Sequence, residues 1–154
     1  MFKLQEEGEA CCEKDVADFE AYIHAKLPND YRDFLLKRNG GIPANECDTF
    51  KSPVKLPGGN EVTVEAFYTL SKNESKIPNL HKALDSHVGT VPFDAIPIGH
   101  DSFGNLVCLD CQTGLVSWVL MEGRFTFDLH RDFEFSVTFA DFLTALRPGP
   151  YAQK

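Results

Sequence analysis

The chain has 154 residues and, with 43% hydrophobic and 25% charged residues, the composition of an ordinary globular domain. A net charge of −8 repels phosphate backbones and argues against direct nucleic-acid binding, and no apolar run approaches the ~18 residues of a membrane-spanning helix. Five Cys is an odd number, and the N-terminus turns acidic where an export signal needs an apolar segment; reduced thiols and a cytoplasmic location follow as expectations.

Glu6, Glu7, Glu9, Glu13, Asp15, Asp18 and Glu20 crowd the first twenty residues, against Lys3 and Lys14. Residues 1–12 read as a loosely ordered acidic lead-in to a single domain over 1–154, with a charge that would steer a basic partner. In "EKDVADFEAYIHAKL", Val16, Phe19, Ile23 and Leu27 recur at helical spacing, with His24 in mid-helix. "LPNDYRDFLLKRNGG" predicts a second helix with Pro28 at its first position and Tyr31, Phe34 and Leu35 on its apolar stripe. Lys37 and Arg38 suit the negative end of that helix, and Asn39, Gly40 and Gly41 form a left-handed exit.

Beyond Pro43 the period becomes two. "CDTFKSPVKL" and "NEVTVEAFYTL" around "PGGN" predict a hairpin, with Pro53 marking an edge or an irregularity. In the second arm Val62, Val64 and Ala66 alternate with Thr63, Glu65 and Phe67. A short helix is expected over 79–87, while the sequence leaves the order of 71–90 open. "AIPIGH", "NLVCLD", "GLVSWVLM" and "RFTFDL" are then four strands, with Phe125, Phe127 and Leu129 on one face of the last and Thr126, Asp128 and His130 on the other. "VTFADFLTALRPGP" closes the chain as a helix, capped by Thr138 with Asp141 and stopped by Pro148 and Gly149. The sum is an α+β fold: two N-terminal helices, a mostly antiparallel twisted sheet of about five to six strands with one intervening helix, and a C-terminal helix.

"GHDSFGN" places His100, Asp101 and Ser102 side by side. Consecutive residues of a turn splay apart, whereas a hydrolytic triad is assembled from distant parts of a chain, so this reads as a turn. Neither a nucleophile elbow nor a zinc-protease motif occurs, and His24, His81, His87 and His130 are scattered. Cys108 and Cys111 form a lone C-x-x-C that begins in a strand, where residues three apart face opposite ways; structural thiols fit better than a metal or redox pair. Trp118, the single Trp, reads as core. No catalytic residue, metal ligand or cofactor is expected.

"LPNDYRDFLLKRNGGIP", "IPIGHDSFGNLVCLDCQTGLVSWV" and "VTFADFLTAL" together resemble the signatures of the SUKH superfamily, in the expected order. Leu27, Pro28, Tyr31, Phe34, Leu35, Asn39, Gly40, Gly41, Gly104, Asn105 and Trp118 match them by position, mainly as scaffold residues. The resemblance implies a non-enzymatic protein-binding domain. Bacterial relatives are typically immunity proteins that neutralise a polymorphic toxin, often a nuclease; fungal relatives act in cell-wall control and signalling. The leading expectation is therefore an immunity protein for a basic cognate toxin, with Asp101, Asp110 and Trp118 as candidate exposed contacts. A regulatory or adaptor module without a toxin is the alternative, and a small hydrolase or metalloprotein using His100, Asp101 and the C-x-x-C is a third reading.

Overall fold

The computed structural model describes residues 1–71, 73, 75–88, 90–92, 94–121 and 132–150. The strand expected at "RFTFDL" lies outside the described residues, and with it the two faces assigned to 125–130.

Helix α1 (Glu13–Ile23) buries Val16 and Phe19 of the expected stripe. Asp15 fastens its start by accepting the Cys12 N–H at 2.8 Å. The helix stops before His24, whose φ of 55° is left-handed and whose backbone N–H donates to the Ala21 carbonyl, so this residue caps the helix instead of sitting within it. Glu20 is buried and accepts the Leu27 N–H at 2.8 Å, tying the next loop down. Helix α2 (Asn29–Lys37) buries Tyr31, Phe34 and Leu35, with Pro28 one position earlier than expected, at the N-cap.

The exit from α2 fixes the N-terminus. Asn39 and Gly40 turn left-handed, with φ of 54° and 79°. A Cβ on Gly40 would run into the carbonyl oxygens of Phe67 and Tyr68, so backbone approach as well as φ demands glycine. The Asn39 amide then bridges two segments of the chain, donating to the Glu9 carbonyl at 2.5 Å and accepting the Leu70 N–H at 2.9 Å. The loosely ordered lead-in expected at 1–12 is corrected accordingly: Leu4–Glu7 form strand β1, paired with β2 (Gly41–Pro43). Cys47 holds the start of that strand, with its Sγ 3.1 Å from both the N–H and the carbonyl of Lys3.

Strands β3 (Thr49–Leu56) and β4 (Gly59–Phe67) form the expected hairpin, closed at Leu56↔Gly59. Pairing slips between Lys51 and Leu56, around Pro53; β3 pairs with β4, and its Thr49 also bridges Arg147. Helix α3 (Leu80–Ser86), capped by the Asn79 side chain, leads to β5 (Ala95–Asp101), β6 (Leu106–Asp110), β7 (Leu115–Val119) and β8 (Asp132–Thr138). The described residues thus make an antiparallel sheet of eight strands, ordered β1-β2-β4-β5-β6-β7-β8 with β3 on β4, more than the five to six expected. Strands of three and four residues such as β2 and β1 are too short for alternation to show.

Phe67 departs from the expected alternation and is fully buried beside Ala66. A register shift between Val64 and Ala66 turns it inward. Gly99 on the facing strand permits this, because a Cβ there would press on the Ala66 carbonyl oxygen. Helix α4 (Phe139–Ala145) starts where Thr138 accepts the Asp141 N–H at 3.2 Å and Asp30 of α2 accepts the Ala140 N–H at 2.9 Å.

One aromatic core unites these elements. Phe34 meets Phe67 at 5.6 Å and Phe139 at 5.0 Å, and Tyr31 meets Phe139 edge-on at 5.0 Å. Each such pair adds about 0.5–1.5 kcal/mol beyond its burial. Ile98, Val107, Leu109, Val116 and Trp118 supply the sheet side of the same core. A smaller cluster of Ala95, Leu106, Cys108 and Val119 is separate from it.

Candidate functional site

The β5–β6 turn is organised by one carboxylate. Asp101 ends β5, and its Oδ1 accepts the N–H groups of Phe103 and Asn105, each at 2.9 Å. Its Oδ2 accepts Asn105 Nδ2 at 3.2 Å and Trp118 Nε1 at 2.9 Å. Asn105 Oδ1 takes the Met121 N–H at 2.9 Å, which ties the turn to the end of β7. Gly104 supplies the left-handed residue, with φ of 82°. Asp101 and Trp118 are each only 4% exposed, so the expectation that they are exposed contacts is corrected: burial and mutual hydrogen bonding consume them.

The side chains of the His-Asp-Ser run part company. His100 Nδ1 lies 3.1 Å from the Tyr68 hydroxyl, Asp101 serves the turn, and Ser102 Oγ donates to the Thr63 carbonyl at 3.4 Å. Burial pushes the Tyr68 phenol well above its ordinary pKa, with Cys108 and Asp101 adding to the effect. No hydrogen bond joins His100 to Asp101 or to Ser102 among the described residues, and a triad requires such links.

What the turn exposes is Phe103. The residue is 89% exposed, while its own N–H and that of Asn105 are both held by the Asp101 carboxylate. Beside it lies a groove of about 450 Å³, formed with the hairpin tip at Pro57 and Gly58, Glu61, Trp118 and Leu120. Glu61 is paired with Arg147 at 3.1 Å. A rigid turn carrying a bare aromatic beside an apolar groove can bind a surface. Sequence reasoning passed over Phe103, although an aromatic between Ser102 and Gly104 at a turn apex has no strand to bury it.

Asp110 stands apart from this groove. Its Oδ1 accepts the Gln112 and Thr113 N–H groups at 2.8 and 2.9 Å, which shapes the β6–β7 turn. It also lines a shallow dent of about 200 Å³ with Asp132 and Glu134. Cys108 and Cys111 belong to different cores, the former to the small cluster and the latter against the main one. Burial pushes the Cys111 thiol up to about 11, with Asp110, Asp94 and Glu20 adding to it, opposite to the shift an activated thiol needs. Among the described residues no three His, Cys, Asp or Glu side chains group as metal ligands, and no helix is long and apolar enough to cross a membrane.

The acidic N-terminal stretch is partly neutralised within the fold. Glu7 pairs with Arg38 at 2.6 Å and Asp18 with Lys14 at 2.8 Å, and Glu13 contacts Arg32.

A helix-backed antiparallel sheet, with an Asn-Gly-Gly exit from α2 and a β5–β6 turn whose Asp101 binds Asn105 and the β7 Trp118, defines an α+β scaffold of the kind the signatures announced. Residues 10–145 match the SMI1 / KNR4 family (SUKH-1), and the chain belongs to that family. It is also similar to the SPbeta prophage-derived uncharacterized protein YokK of Bacillus subtilis (strain 168), at 28% identity over 67% of this chain. The match spans 58% of that relative's length. The signature residues fall where the scaffold needs them: Leu27, Tyr31, Phe34, Leu35 and Trp118 in the core, Asn39 and Gly40 at the α2 exit, Gly104 and Asn105 at the turn.

Proposed function

We propose that residues 1–154 act as a single SUKH-like domain that works by binding another protein without catalysing a reaction, and specifically as a cytoplasmic immunity protein that neutralises a basic cognate toxin. Phe103 carries this reading. An apolar residue left 89% exposed costs solubility, and its turn is held in place before any partner arrives. Ordering a loop on binding consumes affinity, so a turn fixed beforehand favours tight association. Family membership and a net charge of −8 support a protein partner of opposite charge. Asp110 remains a proposed electrostatic contact.

The test is co-expression with the toxin-domain gene beside this one in its native genome. Growth rescue is expected, with a stoichiometric complex, and Phe103→Ser weakens the complex by more than about tenfold, the scale of a hot-spot aromatic. Capture of a different protein without rescue would assign the chain to the adaptor class. A chain that neither rescues growth nor retains any protein would end this reading.

A further inference from the structure

The large apolar side chains exposed among the described residues are Met1, Tyr22, Val54, Val88 and Phe103. Tyr22 and Val88 share one groove of about 650 Å³, formed where the end of α1, α3 and the start of β5 meet the β6–β7 turn. Its volume falls within the range of ligand-binding clefts, roughly 300–1,000 Å³. Phe103 and this groove mark opposite ends of β5, a seven-residue strand, so about 20 Å separates them.

The chemistry of the groove is apolar with an anionic rim. Tyr22 is 48% and Val88 75% exposed, and Ile23, Leu84 and Ile96 continue the apolar wall. Asp85 fixes Tyr22 by accepting its hydroxyl at 2.5 Å, which leaves the ring open to the groove. Asp94 is exposed on the far side. Lys26 also lines the groove, with an exposed ammonium 4.0 Å from the buried Glu20 carboxylate, which Arg32 approaches at 3.9 Å as well, so the rim sets the two carboxylates of Asp85 and Asp94 against one cation. Cys111 on the floor feels the sum of these groups: after burial, the carboxylates of Asp110, Asp94 and Glu20 all oppose its ionisation. His24 and Cys111 line the groove too, and among the described residues no hydrogen bond joins either to a carboxylate or to the other.

We infer that this groove docks a cationic amphipathic segment of a partner protein, whose apolar side chain packs between Tyr22 and Val88 while flanking Arg or Lys residues meet Asp85 and Asp94. The occupant follows from charge complementarity: an anionic rim around an apolar trough disfavours acidic peptides and rewards basic ones. The inference stands apart from the Phe103 surface and does not need a toxin.

Fluorescence anisotropy with a labelled peptide of alternating Leu and Arg tests it, against controls with Glu for Arg and Ser for Leu. Binding is expected for the first peptide only, weakening as salt rises. Val88→Ser and Asp94→Lys, both at exposed positions, each weaken binding by about tenfold, while Phe103→Ser leaves it unchanged. Equal binding of the Glu control, unchanged affinity in the two groove variants, loss of binding in Phe103→Ser, or no binding at all would each overturn the inference. Growth rescue by the Val88→Ser variant reports on the immunity reading alone, so the two can fail separately.

Discussion

Trp118 Nε1 donates to Asp101 Oδ2 at 2.9 Å, and both side chains are buried, seventeen residues apart in sequence and two strands apart in the sheet. The bond joins the end of β5 to β7 across the β6 strand between them. Through the other bonds of Asp101 it also holds Phe103 in position. A scaffold contact and a candidate binding element are therefore one unit.

Replacing Asp101 by Ala strands the Trp118 Nε1–H and the N–H groups of Phe103 and Asn105. Unpaired buried donors cost about 1–3 kcal/mol each before water enters, so a net loss of about 3 kcal/mol is expected. That corresponds to a fall of about 6–12 °C in Tm for a chain of this size. Asp101→Asn is only a partial rescue, because its NH2 would face the Asn105 and Trp118 donors. Urea unfolding followed by the fluorescence of the single Trp measures both; wild-type stability in Asp101→Ala would remove the network from this account.

Two left-handed residues make opposite predictions. Asn39 and Ser136 have φ of 54° and 57°, a region where a Cβ costs about 1–2 kcal/mol. Ser136 lies exposed in β8, where the pairing with β7 shifts register. Ser136→Gly is expected to stabilise by about 0.5–1 kcal/mol. Asn39→Gly relieves the same strain but deletes the bonds to Glu9 and Leu70, so it destabilises by about 1–2 kcal/mol and loosens β1. Denaturation midpoints of opposite sign, with faster amide exchange at Leu4–Glu7 in Asn39→Gly, check the pair.

These positions show what a sequence discloses. The helical stripes, the hairpin and the polar turn at 101–105 are local patterns, and period, caps and turn residues express them directly. Strand β1 exists because Asn39 and Cys47 reach across the fold to hold it, and no local pattern records that. The turn itself was legible as a turn, but Asp101 looked like a surface acid because its partner, Trp118, lies two strands away. Phe103 was the converse: its exposure follows from the geometry of a turn whose carboxylate points inward.

Tyr31 is fully buried, and its hydroxyl has no hydrogen-bond partner among the described residues. Burial pushes its phenol well above the ordinary pKa, with Cys111 and Cys11 nearby adding to the effect. The ring is secured by Phe34 and Phe139, so removing the oxygen keeps the packing. Tyr31→Phe is expected to stabilise by about 1 kcal/mol, the opposite of the usual sign for losing a buried hydroxyl. A rise in the urea midpoint at unchanged m-value confirms it; a fall reveals a partner such as a bound water.

Alkaline pH provides a different probe, because two thiols are held protonated by the fold. Cys11 and Cys111 are each raised from 9.0 to about 11, first by burial and then by nearby carboxylates, with Cys12 also acting on Cys11. A raised folded pKa means that the unfolded chain gives up its proton first. The stability these thiols contribute is complete below about pH 9 and is lost as pH climbs toward 11. Lys and Tyr titrate in the same window, so wild-type decline alone assigns nothing. The difference does: with both Cys replaced by Ala, the fall in urea midpoint from pH 8 to pH 11 should be shallower, and the single variants intermediate. Parallel curves for wild type and the double variant would mean that the thiols are as ionisable in the fold as in the open chain, and that the negative field around Cys111 is weaker than its neighbours Asp94, Asp110 and Glu20 imply.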